Sequence, residues 1–299
     1  MERIIDIISF FVIASTLLPS ARASAAVRRT TLVSAWRWSI VGLAAWTLSA
    51  GIALIARESW RGGVELVWYT TALLMLCPAI AVLGAQRPVV RVWSWFVVLP
   101  FLLVFGWPAA ASTSQTISTG QFQLQTPMAV GYAFVVVMGL GNYVGTRFTF
   151  PALLAAAALW LSVLPLATAE FAWLPAARQC RPVATLLLAA AVWWADRAGR
   201  GTEHPAAIPL DRVWEQFRDR YGIVWSKRLL DRLNHMAEAK RLSLRMSLTG
   251  IAPLDSSGAT ANPDDLAELE RASRWLLRRF VDDEWIDDQL QRGQNDLLN

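Results

Sequence analysis

Two histidines, His204 and His235, and two cysteines, Cys77 and Cys180, are the chain's whole supply of imidazole and thiol groups. Both histidines lie in the last third, outside every long apolar stretch, which excludes a His-ligated haem or metal centre inside those stretches. Cys77 falls mid-way along one apolar stretch and Cys180 is expected in a loop, so the two lie at different depths with no metal spacing between them. The acidic run Asp282–Asp288 lacks the ordered ligand-and-glycine spacing of a calcium loop. No nucleophile elbow, Walker loop, kinase set, zinc signature or paired-acid motif occurs. The residues therefore assign no catalytic, cofactor-binding or metal site, no cofactor is expected, and a non-enzymatic role is favoured over an enzymatic one.

What remains are two groups whose types suit packing or recognition. The segment Gly139-Leu-Gly-Asn-Tyr-Val-Gly145 carries Gly141 and Gly145 at the small-xxx-small spacing that lets helices approach closely. Asn142 and Tyr143 lie between them and Tyr132 precedes them, a set that suits a helix-packing face or a polar pocket. The second group is Trp214, Trp225, Trp275 and Trp285, in a charge-rich C-terminal region, where exposed tryptophans suit docking of a partner.

The elements that must position them follow from composition. Of 299 residues, 55% are hydrophobic and only 17% charged, with 16 tryptophans. That balance excludes a disordered chain, a collagen-like repeat and a disulfide scaffold, and points to an integral membrane protein. Charged side chains are costly in hydrocarbon, so spans are expected as gaps between them. Arg37 to Arg57 leaves 19 uncharged residues, Glu65 to Arg87 leaves 21, Arg91 to Arg147 leaves 55 and Arg147 to Glu170 leaves 22. The longest gap holds two apolar halves around Ser112–Thr126, polar but uncharged, which reads as a loop outside the membrane. Asp6 to Arg22 and Arg181 to Asp196 enclose 15 and 14 uncharged residues, short for a full span. Residues 1–25 read as a retained helix, with a cleaved signal as the alternative.

The expected fold is all-α: a polytopic transmembrane bundle of about seven spans (4–20, 38–56, 66–86, 92–111, 127–146, 149–169 and 181–196) within residues 1–196. A linker at 197–209 and a small, mainly helical cytoplasmic domain at 210–299 complete the chain. With seven spans, one set of loops collects Arg22, Arg28, Arg29, Arg37, Arg87, Arg91 and Arg147 without an acid. The positive-inside rule then places the N-terminus outside and the C-terminus in the cytoplasm of a bacterial-type inner membrane. The basic excess sits in these loops, so the high isoelectric point speaks for orientation, and no nucleic-acid partner is expected.

Within the C-terminal region, Leu210, Val213, Trp214, Phe217 and Tyr221 share one helix face that ends at Gly222. A second helix is expected from about Trp225 to Lys240. Strict alternation from Leu242 to Thr249 reads as a half-buried strand. Asn262-Pro-Asp-Asp265 reads as a helix start, with an N-cap, a proline in the first turn and acids at the positive end of the dipole. The leading functional expectation is a scaffold, assembly or signal-relaying subunit acting through its cytoplasmic domain, with the bilayer and a cytoplasmic protein or other membrane subunits as partners. The alternative is a carrier for a neutral or lipidic solute lined by Tyr132, Asn142 and Tyr143.

Overall fold

The structure is a computed structural model describing residues 2–85, 93–119, 122–167, 177–200, 208–253 and 262–298. Helix accounts for 83% of the described residues. Among the described residues, five segments are long and apolar enough to cross a membrane: Arg3–Arg22, Val33–Ile55, Arg61–Leu83, Trp95–Thr116 and Thr149–Leu166.

The helices of the apolar part are α1 (Glu2–Ser15), α2 (Leu17–Arg22), α3 (Ser24–Val27), α4 (Val33–Ile55), α5 (Arg61–Leu83), α6 (Trp93–Thr119), α7 (Thr126–Gly141), α8 (Thr149–Val163) and α9 (Ala177–Arg200). At 16 residues α7 is apolar but shorter than the five. Helices α4 and α5 form an extensive pair, as do α8 and α9, and α1 lies against both α4 and α9. Between these pairs Trp46 is fully buried; its indole N–H donates to Thr185 Oγ1 at 3.0 Å and its ring stands edge-on to Trp68. Ser49 and Thr71 hydroxyls bond to each other at 2.7 Å across α4 and α5, which satisfies two buried polar groups at once.

Charge gaps located these helices, and their ends depart from the gaps in instructive ways. Helix α4 begins five residues before Trp38, carrying Arg37 on its first turns, because an arginine near a helix end keeps its head in a polar layer while its stem stays on the helix. Helix α6 continues through Ser112 to Thr119, so most of the polar stretch expected as a loop is helical. Its hydroxyls make this possible: Ser112 and Thr113 donate back to the carbonyls of Pro108 and Ala109, leaving the backbone ladder intact. Helix α9 runs to Arg200, into residues expected as linker, where Arg200 pairs with Asp196 one turn earlier. Residues 201–207 of that linker lie outside the described residues. Cys180 stands on α9, buried, instead of in a loop, and neither cysteine is in a disulfide.

The C-terminal elements are α10 (Pro209–Ala239), a hairpin of β1 (Leu244–Met246) and β2 (Ile251–Pro253), α11 (Pro263–Leu277) and α12 (Asp283–Leu298). The strands pair antiparallel with Met246 opposite Ile251. The alternation of Leu242–Thr249 thus ends in a strand with Leu244 and Met246 buried. Asn262 caps α11 by accepting the Asp264 N–H at 3.1 Å. Trp214, Phe217 and Tyr221 form a stack that Phe280 closes edge-on, joining α10 to the turn before α12.

Candidate functional site

A densely bonded polar region lies where the C-terminal helices meet the ends of the apolar bundle. Its centre is Gly222. There α10 breaks, with φ at +78°, a backbone conformation that an L side chain rarely adopts. A break exposes a carbonyl and two N–H groups that a continuous helix would have paired. Asn142, at the C-terminal end of α7, takes all three. Its Nδ2 donates to the Tyr221 carbonyl at 3.0 Å, its Oδ1 accepts the Val224 N–H at 2.8 Å, and its backbone carbonyl accepts the Ile223 N–H at 2.8 Å. A Cβ at residue 222 would stand 2.2 Å from Asn142 Nδ2, so the close approach itself requires glycine.

Around this centre three more attachments form. Arg147, in the turn between α7 and α8, pairs with buried Asp219 at 3.0 Å and donates to Gln216 Oε1 at 3.1 Å. Trp225 donates its indole N–H to the Val82 carbonyl at 2.9 Å, covering one of the last carbonyls of α5. The turn before α4 supplies the third: Thr31 N–H and the Tyr221 hydroxyl both donate to the Phe280 carbonyl, and Arg29 pairs with Glu284 and Asp288 at 3.0 and 2.8 Å. Burial pushes the Tyr221 phenol up to about 12, opposed by its hydrogen bonds with Thr31. Burial lowers the Arg220 guanidinium to about 10, and the Arg147 charge beside it acts in the same direction.

The residues singled out from sequence divide here. Asn142 and Tyr143 stand in the joint, Tyr143 donating to the Arg220 carbonyl at 3.3 Å. Gly145 is also in the joint, with φ at +86° and Ile223 against it, but α7 has already ended at Gly141. Gly141 and Gly145 therefore do not form one helical face. The glycine that brings α7 close to its neighbour is Gly139, where a Cβ would meet Ala79 of α5 at 2.8 Å. Tyr132 lies apart, fully buried within α7, its hydroxyl 3.5 Å from the Leu159 carbonyl of α8. The polar groups of Asn142 and Tyr143 are thus spent on α10, while the Tyr132 hydroxyl is directed to α8. Of the four tryptophans, Trp214, Trp225 and Trp285 are buried inside the chain, because the helix faces that carry them are the ones that join α10 to α12 and to the bundle. Only Trp275 presents an exposed ring, 48% accessible and flanked by Arg232 and Arg279.

Gly222, Arg147, Asp219 and Arg29 were missed as site residues. The one legible signal was that the apolar periodicity of α10 stops at Gly222; nothing in the spacing says which residue 80 positions earlier receives the break. Chemically the joint holds no activated nucleophile and no exposed acid–base pair. Among the described residues no three His, Cys, Asp or Glu side chains come together to hold a metal ion. What the arrangement can do is transmit position. Comparison with protein-family models, with curated proteins and with solved structures yields no match.

Proposed function

We propose that this chain is a multi-pass inner-membrane protein of about seven spans, N-terminus outside and C-terminus cytoplasmic, that relays the state of its bundle to a cytoplasmic partner through its C-terminal helices. The observation that carries the reading is the joint at Asn142 and Gly222. Three hydrogen bonds from one residue hold a helix break, so a small rotation of the end of α7 must either move both arms of α10 or break buried bonds worth about 1 kcal/mol each. Such all-or-none attachments are how packed elements convert small shifts into larger ones. In this reading α7 and α9 join the five longer apolar segments as spans, and the joint lies at the cytoplasmic face with the basic turns at Arg29 and Arg147. Trp275, the exposed tryptophan of the four, with its flanking arginines, is the docking point for the partner.

Hydrogen exchange on the full chain in lipid nanodiscs tests the relay. Asn142→Ala is expected to raise exchange together in residues 142–148 and throughout α10, including the arm beyond Gly222. A rise confined to 142–148 contradicts the relay. Reporter fusion at the C-terminus tests the orientation; a signal that requires export reverses it.

A further inference from the structure

The opposite end of the bundle carries a different feature. The chain directions define that end: α4 finishes there at Ile55, while α5 and α9 begin there at Arg61 and Ala177. Between α1, α4, α5 and α9 lies a cavity of about 110 Å³. At about 30 Å³ per water, that is room for three to four waters, the size of one small oxyanion.

Its lining is built from donors. Arg181 extends into it with Nε and one terminal nitrogen buried and without a hydrogen-bond partner, its guanidinium over the Trp68 ring. The Trp68 indole N–H and the Ser9 hydroxyl, on residues 2% and 4% exposed, line the same cavity and are also buried without partners. A native structure leaves few such atoms, and each costs roughly 1–3 kcal/mol when unsatisfied. Three residues from three helices leaving donors unmatched around one cavity mark a place shaped for an acceptor that comes from outside the chain.

Charge points the same way. Arg57, Arg61 and Arg178 complete the rim, against Asp6 as the one acid of the lining. Glu65, one turn into α5, accepts the Phe122 N–H at 2.8 Å with one oxygen and lies 3.9 Å from Arg61 Nε with the other. Counting both acids, these six side chains carry a net charge of +2. The first turns of α5 and α9 add the positive ends of two long helices. An arginine fork and an indole N–H, with the Ser9 hydroxyl the one unmatched group that can also accept, favour an oxyanion over a cation or a neutral polyol.

We propose that this cavity binds a phosphate-class oxyanion, carried on a lipid headgroup or free in solution. The site does not depend on the relay: it stands on the cavity and its unmatched donors, and its test reads binding alone. The exposed Trp60, beside Arg61, puts the cavity at headgroup depth if the chain lies in a bilayer, within reach of either source.

The full-length protein in a phosphate-free sugar detergent decides it by thermal unfolding against four probes: inorganic phosphate, phosphatidic acid, diacylglycerol, and sodium chloride at matched ionic strength. Phosphate or phosphatidic acid is expected to raise the midpoint in a saturable way, while diacylglycerol and chloride do not. A shift from phosphate assigns the free anion, and a shift from phosphatidic acid alone assigns the headgroup. Arg181→Gln is expected to weaken that binding at least about tenfold, from loss of charge-assisted bonds. Should Arg181→Gln not be recovered folded, Ser9→Ala, which removes one hydroxyl, decides in its place with a loss of about fivefold. The proposal is overturned if neither phosphorylated probe shifts the midpoint, if chloride matches them, or if the variant that folds binds as the native chain does.

Discussion

The two ends of the bundle use arginine in opposite ways. At the joint, Arg147 pairs with Asp219 and bonds Gln216, its Nε alone lacking a hydrogen bond, and Arg29 meets Glu284 and Asp288, so each guanidinium faces an acid of the chain. At the far end Arg181 is half-buried with two nitrogens buried and unmatched, beside a buried serine and tryptophan that also lack partners. The first arrangement fixes two parts of one chain together. The second leaves bonding capacity for something else. The difference teaches that burial of a charge does not reveal its role until its partners are counted.

The contrast can be broken first at its tightest point. Gly222→Ala places a methyl 2.2 Å from Asn142 in a left-handed backbone conformation. It should cost about 3 kcal/mol or more, seen as a large fall in thermal midpoint. Next, Asp219→Asn strands the partly buried Arg147 and should cost about 2 kcal/mol, measured by denaturant unfolding of the C-terminal helices. Arg181→Gln at the far end supplies the sharpening control. Losing mainly its stacking on Trp68, it should change unliganded stability by no more than about 1 kcal/mol, or raise it, in the same measurement. A loss equal to that of Asp219→Asn erases the contrast. Arg29→Ala removes pairs that are half exposed, so about 0.5 kcal/mol is expected.

The smallest effect comes with acid. Bonds from the Ser243 side chain and N–H hold the Asp265 carboxyl below its usual range, and a bond from Lys240 does the same for Glu268. Carboxyls depressed in the folded state stabilise it above their unfolded values near pH 4, and that contribution fades as pH falls through the folded values. Unfolding followed from pH 6 to pH 3 should therefore show the hairpin and α11 loosening below about pH 4. Ser243→Ala should flatten that dependence.

How much of this was legible varied with the distance over which each residue acts. Charge gaps located the long apolar helices because the cost of a charge in hydrocarbon is a property of each residue alone. The Asn262 cap and the strand at Leu244–Met246 were equally local. The extension of α6 through Ser112–Thr119 was hidden, since a hydroxyl that bonds back to its own helix and one that faces solvent look the same in sequence. The tryptophans misled for a related reason: an apolar stripe on a helix declares that it will be covered, and Trp214, Trp225 and Trp285 were covered by the chain itself. Neither the joint nor the cavity was readable. Asn142 and Gly222 are 80 residues apart, and Arg57, Arg61, Arg178 and Arg181 flank separate apolar stretches, where each reads as an ordinary boundary charge.

Burial within the bundle carries the same lesson. The apolar segments of α5 and α6 are matched in length and character, yet 61% of the first is buried within the chain and 11% of the second. Helix α5 touches α4, α6, α7 and α8, and its two ends reach the cavity and the joint. It is one of the elements that reach both ends.

The claim that the C-terminal helices are fixed to the bundle can be measured as a distance. Spin labels at Arg197→Cys on α9 and Gln291→Cys on α12, in a chain whose buried native thiols are replaced by alanine, report their separation by pulsed electron resonance in nanodiscs. The native chain should give one narrow distribution, and Asn142→Ala a broad or bimodal one. A broad distribution in the native chain, or one that Asn142→Ala leaves unchanged, would contradict the account.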